Sequence, residues 1–221
     1  MAVGALVDLW GFGPAPAAVL PPADADIAAA RAAGGWRRLD RDRHSRRARQ
    51  PGGLRLDLSG IAKGHAVDRL AAVLQRHGHA HALVEIGGEL RGTGIRPDRQ
   101  PWWVAVETPP GAALPPIRVA LHGLSIATSG DYRRWFDHGG RRHAHTLDPR
   151  TGRPVAHDVA SVTVLHPECM MADALATAIT VLGADDGLSY ATTRNIAALI
   201  VRRRRDGFTE TMSPAFAALL D

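Results

Sequence analysis

Cysteine and long apolar runs are nearly absent from this chain of 221 residues. The single cysteine, Cys169, cannot form an intramolecular disulfide or a cysteine-based metal site, and we expect it to be a small buried residue. No apolar run reaches the length of about 18 residues that a membrane-spanning helix needs. The first residues also lack a basic segment followed by an apolar core, so we expect no secretory signal peptide there.

Aromatic residues are scarce as well, at 5% of the chain. The net charge of +5 and the pI near 10.5 suggest a nucleic-acid-binding protein, and such a protein would bind DNA or RNA in a salt-sensitive way. The basic residues, however, are concentrated at 37–49 and 202–205 without the interleaved aromatic side chains that stack on single-stranded bases. A small anionic ligand is therefore the simpler partner, and we expect no nucleic acid.

The apolar periodicity indicates an α+β protein, because strands outnumber helices and no strict alternation of strand and helix persists. Predicted helices lie at 24–33, 61–76, 170–182 and 214–220, with a short helix or buried segment at 3–10. Predicted strands lie at 54–58, 82–86, 102–106, 117–121, 141–147, 159–165, 196–201 and 208–212. Residues 89–94 are expected to continue the strand 82–86 past a bend, residues 129–130 to form a turn, and residues 14–22 to form a loop.

The stretch at 56–68 places a carboxylate, a small-residue turn and a lysine just before a helix. Gly60 and Gly64 suit a backbone that bends tightly or approaches a ligand closely. The first N–H groups of such a helix attract an anion, and Lys63 adds a full positive charge. The alternative is an ordinary strand–turn–helix junction with a solvated lysine.

The helix predicted at 170–182 carries Asp173 and Thr177, which are four residues apart and so project from one face. Carboxylate and hydroxyl oxygens are hard donors that suit Mg²⁺, which takes few protein ligands. The alternative is that Asp173 merely favours the positive end of the helix while Thr177 packs in the core.

Six segments, taken in order, resemble the FAD:protein FMN transferase family, the ApbE-like flavin transferases. They are Leu-Val-Asp-Leu-Trp-Gly-Phe-Gly at 6–13, the stretch at 56–68, Val-Glu-Ile-Gly-Gly-Glu-Leu-Arg at 84–91, Thr-Ser-Gly-Asp-Tyr at 128–132, His-Thr-Leu-Asp-Pro-Arg-Thr-Gly at 145–152 and Ala-Asp-Ala-Leu-Ala-Thr at 172–177. The resemblance implies an ApbE-like (T-fold-like) α+β architecture with mixed, largely antiparallel sheets and packed helices. It also implies one flavin transferase domain over residues 1–221 that lacks the family's N-terminal portion, which carries flavin-contacting residues.

By the same resemblance, Asp173, Thr177 and the backbone carbonyl of Gly60 bind Mg²⁺. Ala176 occupies a position that is acidic in some relatives, so we expect water in place of that ligand. The residues implied to contact FAD are Asp57, Lys63, Thr128, Asp131 and Leu147. Asp131 has an equally weighted alternative role as the N-cap of a helix at 132–136.

His145 is the residue that the resemblance singles out for acid–base chemistry, for which histidine is suited because it titrates near neutrality. His143, two residues away on the same predicted strand, is the neighbour with which it could be confused.

The implied reaction is Mg²⁺-dependent transfer of FMN from FAD to a threonine of an acceptor flavoprotein, with release of AMP. Two alternatives remain open: an FAD pyrophosphatase that gives FMN and AMP, and a non-catalytic flavin-binding module or inactive fragment. The family is expected in the periplasm or anchored to the inner membrane of bacteria, but the chain itself does not identify the compartment.

Overall fold

The computed structural model describes residues 2–14 and 20–220, so most of the loop predicted at 14–22 lies outside the described residues. The chain forms two compact units. The first comprises Met1–Leu58 and Arg133–Ala156, and the second comprises Ser59–Tyr132 and His157–Asp221. The single domain expected over residues 1–221 stays a prediction.

Six α-helices and 14 strands are formed within the described residues. The helices are α1 (Gly4–Leu9), α2 (Asp24–Ala33), α3 (Ala62–Arg76), α4 (Cys169–Leu182), α5 (Ala184–Thr193) and α6 (Pro214–Ala217). The strands are β1 (Asp40–Asp42), β2 (Arg47–Arg49), β3 (Ala82–Ile86), β4 (Glu89–Thr93), β5 (Trp102–Ala105), β6 (Arg118–Leu121), β7 (Leu124–Gly130), β8 (Trp135–His138), β9 (Arg141–Ala144), β10 (Leu147–Asp148), β11 (Arg153–Pro154), β12 (Val159–His166), β13 (Ala197–Arg204) and β14 (Gly207–Met212). The predicted α+β class is confirmed.

The second unit is built on a six-stranded sheet in the order β14-β13-β12-β7-β4-β3, in which every neighbouring pair is antiparallel. Its two faces bury different side chains of the same strands. Ala198 and Ile200 of β13 pack with α4 and α5, whereas Ala197 and Leu199 pack with the β5–β6 hairpin and α6. Because both faces are covered, β12 is buried from Val159 to Leu165 and β13 from Ala197 to Val201.

Strands β3 and β4 are joined by a two-residue turn at Gly87 and Gly88, whose φ angles are +63° and +95°. Positive φ at both central positions is the requirement of a type I′ hairpin turn, which glycine meets without steric cost. The prediction that residues 89–94 continue the preceding strand past a bend is therefore wrong, because the chain reverses direction there. Glu89 becomes the first residue of the returning strand.

Other local predictions also differ from the structure. Residues 54–58 form no strand, and residues 129–130 continue β7 instead of turning. No helix follows Asp131, since residues 131–134 form a turn and a bend before β8, so its alternative role as a helix N-cap is wrong. Helix α5 was not predicted, because Gly183 ends α4 and α5 begins at the next residue.

The first unit contains α1, α2 and three small antiparallel pairs, β1–β2, β8–β9 and β10–β11. Its core is a cluster formed by Leu6, Trp10, Phe12, Ile27 and Leu147. The indole N–H of Trp10 donates to the carbonyl of Gly152 at 2.9 Å, which ties α1 to the turn between β10 and β11.

None of the helices within residues 2–14 and 20–220 combines the length and the apolar character that crossing a membrane would require.

Candidate functional site

The start of α3 lies directly against the start of α4 because Gly64 has no side chain. A Cβ atom at Gly64 would lie 2.3 Å from the carbonyl oxygen of Cys169 and 2.8 Å from the Cα atom of Met170. One turn later, Asp68 accepts hydrogen bonds from the N–H groups of Cys169 and Met170 at 3.0 and 2.9 Å. A side chain of α3 therefore caps the first turn of α4.

This packing brings Gly60, Asp173 and Thr177 together. Asp173 is 6% exposed, and its Oδ2 atom accepts a hydrogen bond from the N–H of Gly64 at 3.0 Å. A Cβ atom at Gly60 would lie 2.9 Å from Oγ1 of Thr177, so the turn before α3 packs against that hydroxyl. Asp173 is the fifth residue of α4, and the helix N-terminus is satisfied by Asp68 instead.

Burial raises the pKa of the Asp173 carboxyl above its usual value, while the hydrogen bond from Gly64 and the ammonium of Lys63 act in the opposite direction. Removing a carboxylate from water disfavours its charged form. A buried carboxylate of this kind is stabilised when a cation comes close to it.

Lys63 lies in the first turn of α3, and its Nζ atom is 2.5 Å from Oε1 of Glu89. The Glu89 side chain is 2% exposed, and its other carboxylate oxygen, Oε2, is buried without a hydrogen-bond partner among the described residues. Burial raises the pKa of Glu89, and Asp173 adds to this effect, whereas Lys63 opposes it. The two buried carboxylates thus lie beside a single ammonium, which forms its ion pair with Glu89.

The donor set at Gly60, Asp173 and Thr177 fits Mg²⁺. It offers hard oxygen atoms, and Mg²⁺ takes few protein ligands. No group of three or more His, Cys, Asp or Glu side chains in the described part of the chain could hold a metal ion. The donor set at Gly60, Asp173 and Thr177 is of a different type, because it consists of one carboxylate, one hydroxyl and one backbone carbonyl.

Thr128 and Asp131 also belong to the second unit, at the end of β7. The hydroxyl of Thr128 is 2.8 Å from that of Thr163 on the adjacent strand β12. Asp131 is 7% exposed, and both of its carboxylate oxygens accept hydrogen bonds from the guanidinium of Arg203, at 2.7 and 2.8 Å. The structure therefore places both residues in contacts within the sheet.

Asp57, Leu147 and His145 belong to the first unit. Asp57 is half-buried in the irregular segment before α3. Leu147 begins β10 and is 6% exposed within the core cluster of that unit.

His145 follows the end of β9 and is half-buried. Its Nδ1 atom is 3.2 Å from the carbonyl oxygen of Arg134, and the edge of its ring meets Phe12. A carbonyl can only accept, so the tautomer that makes this hydrogen bond carries its proton on Nδ1 and its lone pair on Nε2. That tautomer can take a proton through Nε2.

His143 has a different environment. Its ring stacks on Phe136 and Trp10, with centroid separations of 5.0 and 5.6 Å, and it is 9% exposed. Burial lowers the pKa of His143, and Arg141 and His138 lower it further. His143 is therefore a residue that packs against aromatic rings, and this environment distinguishes it from His145.

Glu89 and Asp68 are the two carboxylates that the sequence did not single out. Each lies within a segment that carried the family resemblance. An acidic residue directly after two adjacent glycines was the available signal for Glu89. The contact between Asp68 and the start of α4 spans about a hundred residues and left no local signal.

The sequence of the chain is similar to those of known flavin transferases. The model of the ApbE family matches residues 1–200. A Vibrio cholerae protein named FAD:protein FMN transferase is 42% identical over 219 residues, which are 99% of this chain and 65% of the relative. A protein of the same name from Haemophilus influenzae is 38% identical, again over 99% of this chain and 65% of the relative. The chain thus spans just under two thirds of the length of these two relatives.

Solved structures show the same similarity. The apo form of Pseudomonas stutzeri flavinyl transferase ApbE superimposes with a TM-score of 0.88 at 42% identity, covering 99% of this chain and 68% of that one. Flavin transferase ApbE from Vibrio cholerae also gives a TM-score of 0.88, at 40% identity, covering 99% of this chain and 70% of that one. Taken with the match of the family model over residues 1–200, these similarities establish that the chain belongs to the ApbE family.

Proposed function

We propose that this chain transfers FMN from FAD to a threonine side chain of an acceptor protein in a Mg²⁺-dependent reaction that releases AMP. The observation that carries the proposal is the cluster at the junction of α3 and α4. There Gly60, Asp173 and Thr177 come together beside Lys63, which is the arrangement that an anionic diphosphate and a divalent cation require. Relatives named FAD:protein FMN transferase, with up to 42% identity, support the same reaction class.

The bonds of the reaction balance without a further reagent. The threonine Oγ attacks the phosphorus of the FMN half, so a phosphoester bond forms and the bond from that phosphorus to the bridging oxygen breaks. The bridging oxygen leaves with AMP. The threonine proton goes to Nε2 of His145, which carries a lone pair when Nδ1–H donates to the carbonyl of Arg134.

Asp173, Thr177 and the Gly60 carbonyl would hold Mg²⁺, whose chemistry when bound is to neutralise charge on the pyrophosphate and on the leaving AMP. Lys63 would bind a phosphate oxygen, since its side chain is 42% exposed and can reach a ligand while paired with Glu89. Asp57, Leu147, Thr128 and Asp131 remain proposed FAD contacts. The buried positions of Leu147 and Asp131 favour a supporting role, through packing and through the ion pair with Arg203.

One incubation tests this proposal. It contains the chain, FAD, Mg²⁺ and an acceptor peptide with an Asp-Gly-Ala-Thr-Ser core, and it is read by intact mass of the peptide and by chromatography of the nucleotides. Asp173→Asn is the test variant. Asp186→Asn, an exposed aspartate on α5, is the matched control.

A Mg²⁺-dependent FMN adduct that is lost in Asp173→Asn and kept in Asp186→Asn would support the transferase. Appearance of FMN and AMP without an adduct would favour the FAD pyrophosphatase, in which water replaces the threonine. If FAD binds but stays intact, the chain is a flavin-binding module. If FAD neither binds nor reacts, the proposed function is wrong for this chain.

A further inference from the structure

Lys63 has two buried carboxylates within reach and forms its ion pair with only one of them among the described contacts. Its Nζ atom lies 2.5 Å from Oε1 of Glu89. Asp173 is also close: the N–H of Gly64, the residue after Lys63, donates to Asp173 Oδ2 at 3.0 Å. The Lys63 ammonium is near enough to oppose the rise in the pKa of Asp173 that burial causes.

The stem of Lys63 is guided toward Glu89 by the turn between β3 and β4. A Cβ atom at Gly87 would lie 3.2 Å from Cδ of Lys63 and 3.7 Å from Oε2 of Glu89. The lysine stem therefore packs over a position that has no side chain, and this packing aims the ammonium at the start of β4. The same glycine has a φ of +63°, so the turn and the lysine path are set by one residue.

Stability alone does not account for Glu89. Its side chain is 2% exposed, and its Oε2 atom has no hydrogen-bond partner in the described part of the chain. An ion pair whose carboxylate is buried with one unsatisfied oxygen is commonly no more stable than an apolar pair of similar volume. A role in the function of the neighbouring cluster is the better explanation.

We propose that Glu89 is a positioning residue that holds the Lys63 ammonium away from Asp173 and so keeps the Asp173 carboxylate available to a divalent cation. This inference rests on the proposed function, because it assumes that Asp173 binds Mg²⁺. Lys63 and the cation are both positive, so they would compete for Asp173 if Lys63 lost its own partner. Glu89 prevents that competition and still leaves Lys63 available to a phosphate.

A double-mutant cycle on Mg²⁺ binding distinguishes this role from a simple change of charge. Mg²⁺ is titrated into the metal-free chain without nucleotide by calorimetry, for the wild type, Glu89→Gln, Lys63→Met and the double variant. Glu85→Gln, an exposed glutamate on β3, is the matched control. We expect Glu89→Gln to weaken Mg²⁺ binding about tenfold, which corresponds to about 1.4 kcal/mol, and the control to leave it unchanged.

The coupling between the two positions is the decisive measurement. Removal of the ammonium should strengthen Mg²⁺ binding about tenfold more in the Glu89→Gln background than in the wild type, because only there does Lys63 occupy Asp173. Equal effects of Lys63→Met in both backgrounds would mean that the charges act independently, and would overturn the proposal. If Glu89→Gln does not fold, Lys63→Met alone decides: weaker Mg²⁺ binding in that variant would contradict the role given to Glu89.

The same titrations distinguish a failure of the proposed Mg²⁺-dependent function from a failure of the role given to Glu89. If the wild-type chain binds no Mg²⁺, the magnesium part of the proposed function is wrong and the role of Glu89 falls with it. If the wild type binds Mg²⁺ and Glu89→Gln binds it equally well, only the role of Glu89 is wrong.

Discussion

Two histidines separated by one residue have different physical roles. His143 is enclosed by the rings of Trp10 and Phe136, whereas His145 lies beyond the strand and hydrogen-bonds to a backbone carbonyl through Nδ1. Enclosure by apolar rings disfavours the imidazolium form, so burial lowers the pKa of His143. The two residues can therefore be told apart by their effects on stability and on catalysis.

We predict that the His143→Phe variant loses less stability than the wild type when the pH is lowered, because it has no histidine to protonate at this buried position. The pKa of His143 is lower in the folded chain than its usual value of 6.5, so the unfolded chain binds more protons between those two pKa values. Stability therefore falls as the pH drops below about 6.5. The stability of His143→Phe relative to wild type should rise between pH 7 and pH 5, measured by urea unfolding. His65→Phe, at an exposed histidine, should show no such trend.

We predict that Gly64→Ala destabilises the fold by about 1–3 kcal/mol, because the added methyl group would meet backbone atoms of Cys169 and Met170 that cannot move aside easily. Thermal unfolding measures the change. The control is His65→Ala, at the adjacent exposed position of the same helix, which should have little effect. An unchanged melting temperature for Gly64→Ala would show that α3 and α4 do not pack as closely as described.

Individual residues were predictable from the sequence where they lie in a local motif. The turn with Gly60, Gly64 and Lys63, and the pair Asp173 and Thr177, could be identified because each set spans only a few residues. The partners that complete the site could not: Glu89 is 26 residues from Lys63, and Asp173 is 109 residues from Gly64. Such pairings depend on how the helices pack, which no local pattern encodes.

At the scale of elements, α4 is the helix that carries the proposed cation ligands, and its N-terminus depends on another helix. Asp68 of α3 accepts two hydrogen bonds from the first N–H groups of α4 and pairs with Arg91 of β4 at 2.5 Å. The residue at the N-cap position of α4 itself, Glu168, makes no side-chain capping hydrogen bond. One carboxylate therefore joins α3, α4 and β4 beside the site.

We predict that Asp68→Ala lowers the free energy of unfolding by about 1–3 kcal/mol, because two buried N–H donors and the guanidinium of Arg91 lose their acceptor. Hydrogen exchange should also accelerate in the first turn of α4. Asp186→Ala, which removes an exposed first-turn aspartate from α5, is expected to cost only a few tenths of a kcal/mol. Equal losses for the two variants would contradict the special role of Asp68.

Elements with strong periodicity were predicted within one residue at each end, as α3, α4, β12 and β14 illustrate, whereas β13 extends three residues beyond its predicted end. Predictions failed where glycines were ambiguous. Gly87 and Gly88 were interpreted as a bend and form a hairpin turn, while Gly130 was interpreted as a turn and ends a strand. Gly130 is needed there because a Cβ atom would lie 2.5 Å from the Tyr132 ring, a close approach that sequence alone cannot reveal.

At the scale of the whole molecule, the two arginine runs have opposite environments. Arg202 and Arg204 bind the Asp158 carboxylate, Arg202 also reaches Asp185, and Arg203 binds Asp131. Three of the four arginines at 202–205 are thus paired within the second unit. The arginines of the run at 37–49 are all exposed. The basic character of the chain is thus displayed mainly by the first unit.

We predict that amide hydrogen exchange is much slower in the central strands of the six-stranded sheet than in the exposed β1–β2 hairpin. Amides of β12 and β13, which are central in the six-stranded sheet and buried on both faces, should be the slowest to exchange. Amides of β1 and β2, whose residues are all exposed, should exchange at least a hundredfold faster, on the order of the range seen between cores and surface hairpins. Exchange measured by mass spectrometry on peptides tests this. Comparable protection of both regions would contradict the exposed position of the β1–β2 hairpin.

The burial of Cys169 has a practical consequence. Its thiol is 0% exposed at the contact between α3 and α4, and burial together with the charge of Asp68 raises its pKa to about 12. A thiol-specific dye can therefore react only after the packing around Cys169 opens. Because the chain has no second cysteine, each labelled molecule reports one opening event around Cys169. The rate of labelling can be measured with and without Mg²⁺ or FAD. A slower rate in the presence of a ligand would show that the ligand stabilises the packing around Cys169.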